Sequence, residues 1–172
     1  MGCLFAIFAG TFPRLGTLIV WLARPQLFSD AFGGSWLWPV LGGSLLVAAW
    51  GGTLLGQRCN ARDQGLRFHA VLLGAAALAV AGGAALIAGP YQTGLDPTEN
   101  VYGATVWLLV LWTVAHVAVG IIMQLYCVAR RFAGHMTARH AIDIGNVALY
   151  WHFTLLTAVM TVLVIAGFPW LV

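Results

Sequence analysis

Five long apolar runs dominate this sequence and restrict the kind of protein it can form. They cover residues 3–23, 36–57, 68–89, 101–128 and 146–171. An α-helix needs ~20 mostly apolar residues to cross the hydrocarbon core of a membrane. The stretches between the runs hold charged residues together with proline or glycine, and the last two mark turns. The sequence therefore predicts an all-α integral membrane helix bundle with about five transmembrane helices.

The scarcity of charge supports a lipid environment. Only 8% of the 172 residues are charged and 61% are apolar, whereas about a quarter of a soluble domain is charged. The eight basic residues are all arginine, and all but Arg14 lie in short loops beside apolar runs. That placement is typical of membrane topology rather than of a nucleic-acid surface. We expect the membrane as a partner and no nucleic acid.

Arginine is distributed unequally between the loops. The stretches 58–67 and 129–145 hold six of the eight arginines, whereas the stretch 90–100 holds two acids and no base. Because basic loops stay on the cytoplasmic side, these two loops are predicted to be cytoplasmic. The N-terminus, two predicted crossings before the first of these loops, is then predicted to be cytoplasmic as well. Five crossings then place the C-terminus on the periplasmic or extracellular side of an inner (cytoplasmic) membrane.

The sequence contains no recognisable catalytic set. It has no Ser/His/Asp grouping and no pair of carboxylates within an apolar run, and Cys3, Cys59 and Cys127 are far apart. We therefore expect no catalytic residue, no metal site and no bound cofactor in this chain. The glycine pairs 42–43 and 51–52 are interpreted as helix-packing positions.

Arg14, His116 and His152 are polar side chains within apolar runs, where polar groups are costly. Arg14 is interpreted either as a structural ion pair or lipid-phosphate contact, or as a sign that the first span begins later. His116 and His152 are able to ligate haem iron, but their predicted depths differ by ~8 Å. A hydrogen-bonded structural role is favoured, and we expect His152 to donate to a neighbouring helix or a lipid phosphate. Trp151 is assigned to an interfacial aromatic belt.

Three segments resemble a known family. They are 99–105 (ENVYGAT), 115–120 (AHVAVG) and 148–153 (ALYWHF), and their residues, order and spacing are similar to those in the last two helices of cytochrome c oxidase subunit III. The resemblance covers roughly residues 60–172. It departs from the family at Thr113, where a second histidine is common, and at Gly145, where the family has an acidic residue. The family's second and third helices have no counterpart here.

The resemblance divides the chain into two units. Residues 1–57 are predicted to form a two-span N-terminal membrane segment, and residues 58–172 a three-helix bundle like subunit III. In that family subunit III carries no redox metal, packs beside catalytic subunit I and binds phospholipid. The resemblance thus implies a non-catalytic accessory subunit of a haem–copper terminal oxidase that stabilises a subunit I-like chain, with haem and copper held by partner subunits.

Seven residues are the structural or lipid-contact candidates that follow from these arguments: Arg14, Glu99, Tyr102, His116, Tyr150, Trp151 and His152. Two other functions stay open. One is a haem b-binding or quinone-reactive membrane anchor, and the other is a structural subunit of another respiratory or photosynthetic membrane complex.

Overall fold

Four helices account for most of the chain that the computed structural model describes, namely residues 37–98, 101–138, 141–163 and 165. They are α1 (Leu37–Ala61), α2 (Gly65–Gln92), α3 (Val101–Phe132) and α4 (Ile142–Val162). No strand occurs in these ranges, and the predicted all-α class is confirmed. The predicted first span, with Arg14, lies outside the described residues.

Three of the four helices are long and apolar enough to cross a membrane: Leu37–Ala61, Gly65–Gln92 and Gly103–Phe132. Helix α4, which has 21 residues and contains Asp143, Asn146 and His152, is not one of these three. The four helices agree with the prediction of about five spans, because the first predicted span lies before residue 37.

The helices extend beyond the predicted apolar runs at their loop ends. Helix α1 continues to residue 61 rather than 57, α2 covers 65–92 rather than 68–89, α3 ends at 132 rather than 128, and α4 begins at 142 rather than 146. Hydropathy marks the part of a helix that lies in lipid, whereas the backbone hydrogen bonds continue into the polar zone. The predicted domain boundary after residue 57 therefore falls inside α1, and the two-unit division stays a prediction.

Helix α2 continues through Pro90, which the sequence analysis placed in a loop. Proline lacks an N–H, but only two residues of the helix follow it. Thr93 closes the helix end, because its backbone N–H donates to Gly89 O and its hydroxyl donates to Pro90 O at 3.0 Å. In the next loop, Asp96 accepts hydrogen bonds from the hydroxyl and the backbone N–H of Thr98. These two bonds hold the pKa of Asp96 below its ordinary value.

The four helices form a closed ring in which α1 packs on α2, α2 on α3, α3 on α4, and α4 on α1. The closest approach is between α1 and α2. A Cβ atom added at Gly42 would lie 2.8 Å from Leu86 Cγ, and one at Gly52 would lie 2.8 Å from Ala75 Cβ. Glycine at these positions lets the two backbones approach, which is how membrane helices pack without a hydrophobic driving force. The predicted packing role does not hold at Gly51, where an added Cβ atom would meet nothing within 4 Å beyond the adjoining backbone of its own helix.

Candidate functional site

Four consecutive residues of α4, Tyr150 to Phe153, lie where α4 meets both α3 and α1. The Tyr150 hydroxyl donates to the backbone oxygen of His116 on α3 at 3.2 Å. The Phe153 ring lies 5.4 Å from the His116 ring, measured between centroids. On the opposite side, the His152 ring lies 5.5 Å from the Trp50 ring of α1 in an edge contact. This short segment therefore joins three of the four helices.

Trp151 fills a recess on α3 and is fully enclosed, with 0% of its surface exposed. A Cβ atom at Gly120 would lie 3.1 Å from two carbons of the indole ring. Because no side chain projects at residue 120, the large ring lies directly against the α3 backbone. The assignment of Trp151 to an interfacial belt was therefore wrong. Tryptophan favours the interface because its N–H reaches water, but here the recess encloses the whole side chain.

Both intramembrane histidines form a hydrogen bond within their own helix. His116 Nδ1 lies 2.7 Å from Trp112 O, and His152 Nδ1 lies 2.7 Å from Ala148 O. A carbonyl oxygen only accepts, so each Nδ1 carries the proton. The prediction that His152 donates to a neighbouring helix was wrong for this nitrogen, because the nearest acceptor is one turn back along α4. His116 is buried, whereas His152 is partly exposed on the outer face of the ring of helices.

The difference in level of ~8 Å predicted for the two histidines is too large, because Phe153, the residue after His152, packs its ring on His116. The two rings instead pack against different neighbours, His116 against Phe153 and His152 against Trp50 of α1. Within the described ranges, no group of three or more His, Cys, Asp or Glu side chains is arranged to hold a metal ion. The chain's lack of a cofactor stays a prediction.

Gln124 is a fully buried amide that the sequence analysis missed. Its Nε2 donates to the hydroxyl of Thr53 at 2.7 Å, which joins α3 to α1 across the centre of the ring. The Thr53 hydroxyl in turn donates to Ala49 O at 2.9 Å. A second polar contact between helices joins Thr113 of α3 to Thr161 of α4 at 2.9 Å. An amide in the middle of an apolar run was the signal available for Gln124.

The loop ends of α1 and α3 are joined by Arg131, whose side chain is only 9% exposed. Its guanidinium donates to Asn60 Oδ1 and, at 2.7 Å, to Asp63 Oδ1. It also lies over the Phe68 ring, with Cζ 5.6 Å from the ring centroid. From the sequence this arginine indicated only the membrane topology, because nothing in the sequence pairs residue 60 with residue 131.

A second ion pair ties α3 to the start of α4. Arg130 Nη1 lies 2.8 Å from Asp143 Oδ2, and Asp143 stands in the first turn of α4 rather than in a loop. An acidic side chain at a helix N-terminus is also favoured by the helix dipole. Of the other predicted site residues, Tyr102 lies in the first turn of α3, whereas Arg14 and Glu99 lie outside the described residues.

Comparison with known proteins supports one relationship. Part of this chain is similar to cytochrome c oxidase subunit 3. The subunits from Oenothera berteroana and Arabidopsis thaliana are each 32% identical to it over 63 residues, which is 37% of this chain and 24% of the relative. The subunit from Marchantia polymorpha is 34% identical over 56 residues, which is 33% of this chain and 21% of the relative. No protein-family model matches the chain.

The matched stretch thus spans about a quarter of the length of these subunit 3 relatives. The relationship predicted from the three motifs is confirmed to that extent. Together with the membrane-spanning helices, the similarity to subunit 3 indicates a multi-pass membrane protein.

Proposed function

We propose that this chain is a non-catalytic accessory subunit of a haem–copper terminal oxidase, packed beside a subunit I-like chain. The observation that carries the proposal is the similarity to cytochrome c oxidase subunit 3 over 63 residues. In this proposal the chain stabilises the catalytic subunit and contributes no reacting group. Haem and copper belong to the partner chains.

The contacts of the motif residues support a structural role. The Tyr150 hydroxyl donates to a backbone oxygen of α3, and Nδ1 of His116 and of His152 each donates to a carbonyl oxygen of its own helix. Trp151 is packed against Gly120. All these contacts lie within one helix or between two helices of the bundle. We therefore propose that the four residues maintain the bundle shape that a partner subunit binds. Arg14, Glu99 and Tyr102 remain structural or lipid-contact candidates.

Phospholipid is the second proposed partner. Arg58, Arg62 and Arg67 are exposed around the loop that joins α1 to α2. If this loop faces the cytoplasm, as the arginine bias indicates, these side chains stand at the level of the lipid phosphates. We propose that they contact the head groups while the N-terminus lies in the cytoplasm and the C-terminus on the opposite side.

Purification of the assembled complex tests the proposal. A tagged chain extracted in mild detergent is expected to bring down a subunit I-like chain and its haem absorption. A tagged chain that elutes alone would contradict the oxidase assignment. If it elutes with a different respiratory or photosynthetic assembly, it is a structural subunit of that assembly.

A haem b-binding anchor is the second candidate, because an imidazole that donates from Nδ1 keeps Nε2 available to a metal, as metal-ligating histidines do. The different neighbours of the two rings, Phe153 for His116 and Trp50 for His152, argue against their sharing one haem. We expect the purified chain to be colourless. A Soret band that disappears in His116→Ala or His152→Ala would favour the haem-binding function instead.

A further inference from the structure

A hydrogen-bond donor and an acceptor that are buried in the bundle lack a protein partner. They are Nε1 of Trp151 and Oε1 of Gln124, and neither has a hydrogen-bond partner among the residues that the structure describes. Both residues are 0% exposed. A polar atom buried without a partner is costly, and it is more so where lipid surrounds the protein.

The hydrogen bonds around Gln124 identify which atom of its amide is left over. The Thr53 hydroxyl has one proton, and it donates that proton to Ala49 O at 2.9 Å. In its other hydrogen bond, 2.7 Å from Gln124 Nε2, the Thr53 hydroxyl oxygen is therefore the acceptor. The amide must donate through Nε2, so its oxygen is the atom that needs a donor.

Helix geometry places that oxygen close to the indole of Trp151. A Cβ atom at Gly120 would lie 3.2 Å from Trp151 Nε1, so the indole N–H lies on the surface of α3 at residue 120. Gln124 is one turn further on the same face, where Cβ positions are about 5–6 Å apart. Long side chains on a helix lean towards its N-terminus, which directs the Gln124 amide back towards Gly120.

We propose that one buried water molecule bridges these two groups, accepting from Trp151 Nε1–H and donating to Gln124 Oε1. The indole N–H only donates and the amide oxygen only accepts, whereas water does both. Buried waters in proteins typically make about three hydrogen bonds to otherwise unsatisfied groups. The enclosure of Trp151 and its close contact with Gly120 favour a molecule as small as water. The water would then be part of the contact between α3 and α4.

Nuclear magnetic resonance on the full chain in lipid nanodiscs tests this site. With ¹⁵N-labelled tryptophan, the indole signal of Trp151 is assigned by its loss in Trp151→Phe. We expect this N–H to show a cross-relaxation peak to a long-lived water. Gln124→Met, which keeps the side-chain length but removes the amide, should weaken that peak at least fivefold. The matched control is Gln57→Met, at an exposed position on α1, and it should leave the peak unchanged.

Two results would overturn the proposal. If the water peak is missing in the unaltered chain and the indole shift moves in Gln124→Met, the indole and the amide bond directly. If the peak survives Gln124→Met, the water lies elsewhere. Should Gln124→Met fail to fold, a high-resolution structure of the unaltered protein decides. Density within hydrogen-bond distance of both atoms supports the site, and a dry contact overturns it.

Discussion

Asn60, in the last turn of α1, accepts a hydrogen bond from Arg131, in the last turn of α3, and the two residues are 71 positions apart in the sequence. The same separation of 71 joins Thr53 to Gln124. Seven residues, about two helical turns, divide the two contacts on each helix, so both contacts lie on one face. Helices α1 and α3 therefore run parallel in a single register, fixed by one contact in the bundle centre and one at the loop end.

The first prediction concerns Arg131, which makes the contact between α1 and α3 at their loop ends. Arg131→Lys should lower the free energy of unfolding by about 1–3 kcal/mol, because an ammonium cannot reproduce the fork that reaches both Asn60 and Asp63. Most of the loss should come from the bond to Asn60, since Asp63 is 78% exposed and exposed ion pairs contribute little. Thermal unfolding in detergent, followed by circular dichroism, measures the change.

The control for Arg131 is Arg62→Lys, at an exposed position in the neighbouring loop, which should leave the unfolding temperature almost unchanged. Equal effects at both positions would show that the loss reflects arginine content rather than the contact with Asn60.

The second prediction concerns the glycines between α1 and α2. Gly42→Ala should destabilise the bundle by about 1–3 kcal/mol, because the new methyl group would meet Leu86 Cγ at 2.8 Å and the backbone oxygen of Gly82 at 3.0 Å. Gly51→Ala should instead be neutral or stabilising by up to about 1 kcal/mol, since the new methyl group would meet nothing within 4 Å beyond the adjoining helix backbone and alanine is the better helix former. Unfolding of both variants in the same detergent tests the opposite signs.

The third prediction concerns orientation. Cys127 is fully buried, so it should resist labelling from either side and is a poor probe. In a variant without the native cysteines, Pro97→Cys should react with an impermeant maleimide on intact cells. Arg62→Cys should react only after the membrane is opened. Both probe positions are exposed in the structure. The reverse pattern would place the N-terminus outside.

The fourth prediction concerns His152, whose ring meets Trp50 across the junction of α1 and α4. His152→Ala should lower the retention of this chain in its complex, while the initial rate per assembled complex stays close to that of the unaltered protein. Quantifying the chain in the purified complex measures retention. His135→Ala, in an exposed loop position, is the matched control. An intact complex with a collapsed initial rate would mean that His152 takes part in proton or electron transfer.

Hydropathy was sufficient to predict the helices but not how their side chains pair. The apolar runs located α1 to α3 and the start of α4 to within about four residues, because the length of a span is set by the lipid. The runs did not reveal that Trp151 lies inside the bundle, since its site depends on the missing side chain at Gly120. They also did not pair Arg131 with Asn60. Such pairings depend on how two helices are aligned, and that alignment is not encoded within either helix alone.

The contact that closes the ring of helices also constrains how the chain is made. Trp50 and His152, which meet where α4 packs on α1, are 102 positions apart (152 − 50). At 5–20 residues per second, a ribosome needs about 5–20 s to synthesise that length. During this interval the face of α1 that later receives α4 has no partner among the helices that the structure describes, so α1, α2 and α3 are expected to enter the membrane as an open arc. The bundle closes only when the last helix is released, which makes it a late product of translation.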